Sequence, residues 1–117
     1  VVIDRDQAAA VLAGSGDLPV LTLPGAVMAE IAQAQGRRVI LEGFPDRGYT
    51  DDGQLIPRDQ PGALVAGPEQ VAAQAVELVT RVDSLCLHGD SPGAAGSAGA
   101  VREALINRGF TITPWVG

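Results

Sequence analysis

RRVILEGFPDRGYTDDG, residues 37–53, begins as an apolar run and ends in charged residues and glycines. The run from Arg38 to Glu42 does not alternate between apolar and polar side chains, which is typical of a strand buried on both faces. LCLHGDSPGA, residues 85–94, has the same layout, because its apolar residues lead into His88, Gly89 and Asp90. Such strands occur in parallel sheets covered by helices, so the two segments predict an α/β protein.

Helical and strand patterns alternate along the chain. Four helices are predicted, at residues 6–13 (the end of a helix), 24–35, 68–81 and 92–107. Four strands are predicted, at residues 19–22, 38–42, 85–88 and 110–113. Gly36 and Gly109 are placed to end two of the helices, and the connection over 43–66 is rich in Pro and Gly.

Four parallel strands would leave two open sheet edges. Each Val, Leu or Ile side chain left in water forfeits about 1.5–3 kcal/mol, against a typical net stability of about 5–15 kcal/mol. We therefore expect the sheet to be completed by a missing N-terminal part, by a second polypeptide or by another copy of the chain.

The composition excludes several classes of partner. The 117 residues carry a formal net charge of −6, and Lys or Arg runs are absent, so nucleic acid and anionic membranes are poor partners. Apolar stretches are shorter than the roughly 20 residues that span a bilayer, and the N-terminus shows no secretory pattern. The single Cys, Cys86, excludes an internal disulfide. We expect a soluble cytoplasmic protein.

Ionisable residues follow two of the predicted strands. Glu42, Asp46 and Arg47 follow one strand, and His88 and Asp90 follow another. Catalytic groups gather at the carboxyl ends of parallel strands, so these side chains are expected to face one pocket. Their mixture of acid, base and cation suits proton transfer beside an anionic or carbonyl substrate.

These residues also have ordinary structural explanations, which stay open at this point. A lone His at a strand end, such as His88, is more often held by structural hydrogen bonds than catalytic. Asp90 or Ser91 can cap the following helix, and Asp46 with Arg47 can form a loop ion pair of little energetic weight.

The start of the last predicted helix, SPGAAGSAGA at residues 91–100, offers amide groups that could hold a carboxylate or phosphate. Alternatively its glycines allow close packing of the helix on the sheet, and both explanations remain open for Gly93. Gly-Lys-Ser/Thr does not follow, so the segment is not a P-loop. His and Cys lack zinc-ligand spacing and Asp51-Asp52-Gly53 does not match an EF-hand, so the sequence predicts no metal site.

Two longer signatures point to a family. EGFPDRGYTDDGQLIPRDQPGALV, residues 42–65, resembles the E-x-F-A-D-R-x-Y-x-x-D-G-x-L-x-x-R-x-x-x-G-A-x-I signature of the LamB/YcsF family. LCLHGDSPGA resembles its second signature, C-x-H-G-D-[ST]-P-x-A. The chain departs from the usual first signature at Gly43, Pro45 and Gly48, where small or apolar residues are commoner.

The resemblance implies the C-terminal part of a distorted seven-stranded (β/α) barrel of the glycoside hydrolase/deacetylase kind, with parallel strands and flanking helices. Residues 1–117 are then one partial domain that needs an N-terminal half or partner chain. The family's N-terminal acidic and histidine motifs have no counterpart here, so any metal or base they supply must come from elsewhere.

The resemblance also implies an enzyme. Members of the family are A subunits of bacterial ATP-dependent 5-oxoprolinase, a cyclic amide hydrolase that opens the lactam of 5-oxoproline to L-glutamate. It implies partner subunits B and C and ATP with Mg²⁺ bound through the complex, without a metal site in this chain; a homo-oligomer is a further expectation. A non-catalytic scaffold half and a metal-dependent, deacetylase-like hydrolase are the alternatives.

The expected site residues fall into two groups. The expected catalytic residues are Asp46, His88, Asp90 and Glu42. The expected substrate-binding residues are Arg47, Tyr49, Gly89 and Ser91. Asp46 or Asp90 is expected to accept a proton from water, with His88 as acid or orienting donor, and Arg47 to hold the substrate carboxylate or the phosphorylated oxygen.

Overall fold

A computed structural model describes residues 4–90 and 93–114. Helices and strands alternate along these residues, as the sequence predicts. In chain order they are α1 (Arg5–Gly14), β1 (Val20–Thr22), α2 (Val27–Ala34), β2 (Val39–Gly43), α3 (Pro68–Leu78), β3 (Ser84–Leu85) and α4 (Ala94–Asn107).

The described strands form one parallel sheet in the order β1-β2-β3. Val20 pairs with Val39 in the first ladder, and Glu42 pairs with Ser84 in the second. The predicted α/β class with parallel strands and flanking helices is therefore confirmed. Because the strands are parallel, the segments that follow β2 and β3 leave the sheet at the same edge.

The helices pack through two aliphatic clusters. Val71 and Ala75 of α3 pack against Val101 and Leu105 of α4, with Leu85 beside them. In the second cluster, Leu12, Val20 and Ala32 join α1, β1 and α2. A chain with few aromatic residues thus builds its core from small aliphatic side chains, which bring helix and sheet backbones close together.

The predicted fourth strand is wrong. Residues 110–113 form neither helix nor strand, and Phe110 and Ile112 stay 38% and 45% exposed. The backbone groups of a parallel strand need a partner strand, and residues 110–113 pair with none of the strands in the described part of the chain. The predicted strand at 85–88 is also shortened, since β3 ends at Leu85.

The first predicted helix needs a correction as well. Residues 6–13 are not the end of a longer helix, because α1 begins at Arg5 with Asp4 as its N-cap. The Asp4 carboxylate accepts a hydrogen bond from the Gln7 amide at 2.8 Å, and the Gln7 side chain accepts one from the Asp4 amide at 3.1 Å. This capping box fixes the start of the helix.

Two helices end at glycines as predicted. Gly36 and Gly109 have φ of 73° and 87°, a left-handed conformation that glycine adopts without steric cost. After α2, the Arg37 amide donates to the Ala32 carbonyl, and after α4 the Phe110 amide donates to the Leu105 carbonyl. Both ends are Schellman motifs, which turn the chain sharply towards the next segment. Within residues 4–90 and 93–114, no helix is long and apolar enough to span a bilayer.

Candidate functional site

Asp46 and His88 form the closest ionisable pair at the carboxyl edge of the sheet. The His88 backbone amide donates to Oδ2 of Asp46 at 2.6 Å, and His88 Nδ1 lies 3.1 Å from both carboxylate oxygens. The Asp46 and His88 side chains retain only 14% and 29% of their accessible surface. The pair is therefore partly shielded from water, which strengthens the interaction relative to an exposed ion pair.

Strand pairing accounts for this meeting of residues 42 positions apart. Asp46 lies three residues beyond the end of β2, and His88 lies three residues beyond the end of β3. The Cys86 amide donates to the Gly43 carbonyl at 2.9 Å, which extends the contact between the two segments beyond the last strand pair. Because both residues lie three positions beyond the same edge of the sheet, their side chains meet.

The pair fixes the tautomer of His88. An ionised carboxylate is an acceptor only, so the Nδ1 atom that faces Asp46 must carry the proton. Nε2 of a neutral His88 then has a free lone pair and can accept a proton. The Phe44 ring packs 5.4 Å from the imidazole, centroid to centroid, and limits the orientations open to the ring.

Glu42 and Cys86 are two further ionisable residues that interact electrostatically with the Asp46–His88 pair. Partial burial raises the pKa of the Glu42 carboxyl, and the nearby His88 opposes that rise. Burial also raises the pKa of the Cys86 thiol, with the carboxylates of Glu42 and Asp46 acting in the same direction. Glu42 and Cys86 therefore both lie in a partly buried environment that disfavours their charged forms.

Arg47 holds the long loop that follows β2. Its Nε donates to the Ala63 carbonyl at 3.1 Å, and its Nη2 donates to the Ile56 carbonyl at 3.0 Å. The Arg47 backbone also forms an antiparallel bridge with Leu64. The guanidinium, expected from the sequence to bind substrate, is thus partly engaged by its own loop.

The remaining expected site residues occupy different positions. The Tyr49 hydroxyl accepts a hydrogen bond from the Phe44 amide at 2.9 Å, and burial is the main cause of its raised pKa. Gly89 and Asp90 follow His88 directly in the sequence, and both are exposed to solvent. Ser91 lies outside the described residues.

A cleft of about 330 Å³ opens beside the pair. Its polar lining residues are Asp46, Arg47, Arg58, His88 and Ser97. Among residues 4–90 and 93–114, His, Cys, Asp and Glu do not converge into a group of three that could hold a metal ion. A larger groove of about 450 Å³ lies between α3 and α4, away from the pair, and is lined mainly by alanine and other aliphatic atoms.

Two residues beside the pair were not assigned roles from the sequence. Arg58 lines the cleft, and its only sequence signal is its match to the Arg of the first signature. Gln74, on α3, contacts the turn that carries Asp46. The sequence does not distinguish Gln74 from Gln70, which is a glutamine of the same helix.

A family model described as LamB/YcsF family matches residues 2–117. The chain belongs to the LamB/YcsF family. It is 42% identical over 122 residues to the 5-oxoprolinase A subunit of Thermus thermophilus, a match covering 92% of this chain and 49% of the relative. It is 43% identical over 130 residues to the 5-oxoprolinase A subunit of Streptomyces griseus, covering 96% of this chain and 52% of the relative.

A solved structure of the family has a similar fold. The crystal structure of a lactam utilization protein from Thermus thermophilus superposes with a TM-score of 0.72 at 40% identity, covering 90% of this chain and 47% of that chain. The predicted family is therefore confirmed, and the fold is consistent with a partial barrel. The chain spans about half the length of the relatives it matches.

Proposed function

We propose that this chain belongs to the A subunit of an ATP-dependent 5-oxoprolinase, and that the complete enzyme cleaves the lactam of 5-oxoproline to L-glutamate with ATP hydrolysis. The support is the similarity, at 40–42% identity, to proteins named as the A subunit of 5-oxoprolinase. The geometric observation that carries the proposal is the Asp46–His88 pair beside a cleft. We propose a cytoplasmic location for the enzyme.

The cleft suits a small substrate. Its volume of about 330 Å³ lies near the lower end of the roughly 300–1,000 Å³ typical of ligand cavities. Arg47 and Arg58 line it and can pair with a carboxylate, for which a guanidinium is well shaped. Because Nε and Nη2 of Arg47 bind loop carbonyls, we assign the substrate carboxylate to its Nη1 and to Arg58.

His88 is the proposed proton carrier. Asp46 holds the proton on Nδ1, so Nε2 accepts a proton from the attacking water and then returns it to the lactam nitrogen as the ring opens. The Asp46 carboxylate stabilises the imidazolium formed between the two steps. This assigns Asp46 an orienting role, whereas the sequence suggested it as the base, and leaves Asp90 and Glu42 as further proton-transfer candidates.

In the complete enzyme, ATP would supply activation by transfer of its γ-phosphoryl group to the amide oxygen, and this group would be released as inorganic phosphate when glutamate is formed. The two arginines of the cleft fit an anionic substrate or a transferred phosphoryl group. The described residues do not provide three converging metal ligands, and the sequence has no P-loop. We therefore propose that ATP and Mg²⁺ are bound through the complex with subunits B and C.

The proposal is tested in the assembled complex, with glutamate formation and phosphate release measured together. Asp46→Asn and His88→Ala are each expected to lower kcat about 10²- to 10⁴-fold, as removal of a general acid–base does. Arg5→Gln is the control, because it breaks only the exposed Arg5–Glu30 ion pair. Near-normal turnover by folded forms of both site variants would rule out this mechanism and favour a scaffold role.

A further inference from the structure

Gln74 of α3 reaches across to the turn that carries Asp46. Its Nε2 lies 3.2 Å from the Phe44 carbonyl oxygen and 3.0 Å from the Pro45 carbonyl oxygen, and it also bonds the Arg47 carbonyl oxygen. Carbonyl oxygens only accept hydrogen bonds, so the amide nitrogen, and not Oε1, must face the turn. The two N–H groups of one side-chain amide are thus shared among three carbonyl groups that flank Asp46.

The placement of Gln74 follows from the way α3 packs. The helix begins after Gly67 with Pro68 in its first turn, and Val71 and Ala75 are buried against α4. Gln74 lies three residues after Val71 and next to Ala75, so it borders the buried stripe and is itself partly buried. Packing of the helix therefore fixes the distance from Gln74 to the turn.

Each backbone carbonyl of the Phe44–Arg47 turn accepts a hydrogen bond. The Asp46 carbonyl accepts from the Val65 amide at 3.0 Å, and Gln74 binds the carbonyls of Phe44, Pro45 and Arg47. The Arg47 amide also donates to the Phe44 carbonyl at 3.2 Å. Gln74 is the side chain that ties this backbone to the helix layer.

We propose that Gln74 is a positioning residue that holds the Phe44–Arg47 turn so that the Asp46 carboxylate meets both the backbone amide and Nδ1 of His88. A shift of the turn would weaken both contacts at once, since one carboxylate makes them. The inference deepens the proposed function and rests on it, because the tautomer held by Asp46 is the one that leaves Nε2 free for proton transfer. Misplacement of about 1 Å can lower a rate about 10²-fold.

The first test follows His88 itself, which is the one histidine of the sequence. Hydrogen exchange of its backbone amide and the ¹⁵N shifts of its imidazole are measured by NMR in the full chain. Gln74→Met removes the donor with little change in shape and is expected to speed His88 amide exchange about ten-fold, the scale of one lost hydrogen bond. Gln74→Glu places a carboxylate against three carbonyls and is expected to speed it further.

The controls separate positioning from general destabilisation. Gln70→Met changes the same residue type one turn earlier on α3, at an exposed position, and is expected to leave His88 unchanged. In an Asp46→Asn background, Gln74→Met is expected to have no further effect on the imidazole shifts. If Gln74→Met changes the imidazole shifts further in that background, Gln74 acts independently of Asp46 and the proposal is overturned.

A second variant covers the case in which Gln74→Met fails to fold. Gln74→Lys supplies three N–H donors on an unbranched stem, and it is expected to fold and to keep the His88 amide protected. Loss of His88 protection in folded Gln74→Lys, or full protection in folded Gln74→Met, would overturn the proposal.

The last test measures enzyme turnover. In the assembled complex, Gln74→Met is expected to lower kcat with little change in KM, and not to add to the loss caused by Asp46→Asn. If the unsubstituted complex does not hydrolyse 5-oxoproline, the proposed function fails, while the His88 measurements still decide the role of Gln74.

Discussion

Two glycines at which the chain departs from the family signature have opposite surroundings. A methyl group at Gly48 would overlap the carbonyl oxygen of Gly62, across the loop that follows β2. A methyl group at Gly43 would meet Leu78 and Val82 at 3.4 Å, an ordinary contact distance. Gly48 is therefore required by a close approach of two backbone segments, and Gly43 is not.

We predict that Gly48→Ala lowers the free energy of unfolding by about 1–3 kcal/mol, the usual cost of overpacking. The matched variant Gly43→Ala is expected to change it by no more than about 1 kcal/mol, since alanine at a compatible position also restricts the unfolded chain. Denaturant unfolding measures both. Equal losses in the two variants would contradict the close approach at Gly48.

Glu42 gives a prediction about pH. Burial raises its pKa above the ordinary value of 4.5, so the folded state keeps this proton to higher pH than the unfolded state. The contribution of this carboxyl to the free energy of unfolding therefore falls as pH rises from its unfolded-state pKa through its raised folded-state pKa. Glu42→Gln removes that loss and is expected to gain stability relative to the unsubstituted chain as pH rises above the ordinary value of 4.5.

The measurement is denaturant unfolding at several pH values, with the difference between variant and unsubstituted chain followed across the range. Glu103→Gln, at an exposed position on α4, controls for the loss of one negative charge. A Glu42→Gln difference that shrinks as pH rises would contradict the burial of the carboxyl.

The meeting of Asp46 and His88 could be anticipated, because both follow apolar strands and parallel strands end at a common edge. The engagement of Arg47 by Ala63 and Ile56 could not, because the 43–66 connection has no periodic pattern that fixes its path. The role of Gln74 could not be predicted either, because its hydrogen-bond partners lie 27 to 30 residues away in the sequence. Local patterns place elements, and long-range hydrogen bonds assign the roles of side chains.

At the scale of elements, Arg37 joins the end of α2 to the end of α1. It follows the Gly36 stop, and its Nη1 donates to the Leu12 carbonyl at 2.9 Å. Its Nη2 bonds the Ser15 hydroxyl and the Leu18 carbonyl. One guanidinium thereby satisfies the carboxyl end of one helix and the connection into β1.

We predict that Arg37→Met lowers the free energy of unfolding by about 1.5–3 kcal/mol, the range for hydrogen bonds to a charged group. The methionine keeps most of the apolar stem, so the loss reports the bonds. Arg102→Met, at an exposed position on α4, is expected to stay within about 0.5 kcal/mol. Thermal and denaturant unfolding compare the two, and similar values for both would contradict the joining role.

Element boundaries show where local sequence patterns are sufficient. The glycine stops at Gly36 and Gly109 were predictable because each needs only the local chain conformation. Residues 110–113 have the β-branched composition of a strand, yet they stay unpaired because a strand also needs a neighbour. Composition reports what a segment can form, and the rest of the sheet determines whether it does.

At the scale of the whole molecule, apolar side chains remain in water around the sheet. Leu21 of β1 is 51% exposed, whereas its ladder partner Ile40, on the same face as Leu21 and Glu42, is buried. The open part of this face therefore lies at β1, an edge strand of the described sheet. The relatives are about twice as long as this chain. We propose that this face is covered by the part of the family fold that corresponds to the N-terminal half, supplied by the same polypeptide or by a second one.

We predict that Leu21→Asp prevents association with that N-terminal half while leaving the free energy of unfolding of the chain nearly unchanged. Val11→Asp is the control, because Val11 is 53% exposed but lies on α1 in the helix layer. Co-purification and sedimentation measure the association, and a homo-oligomer would be seen in the same experiment. Unimpaired association of Leu21→Asp would show that another surface makes the contact.

The pairing of Gly43 with Leu85 has a consequence for how this family can diverge. His88 lies three residues beyond this pair, outside β3, and it meets Asp46 because Asp46 also lies three residues beyond β2. A single-residue insertion between Leu85 and His88 would make these two lengths unequal and move the imidazole away from Asp46. Under the proposed function, an insertion or deletion there would remove the Asp46–His88 contact on which proton transfer depends. We therefore expect active relatives to keep the same number of residues between the Gly43–Leu85 pair and the histidine.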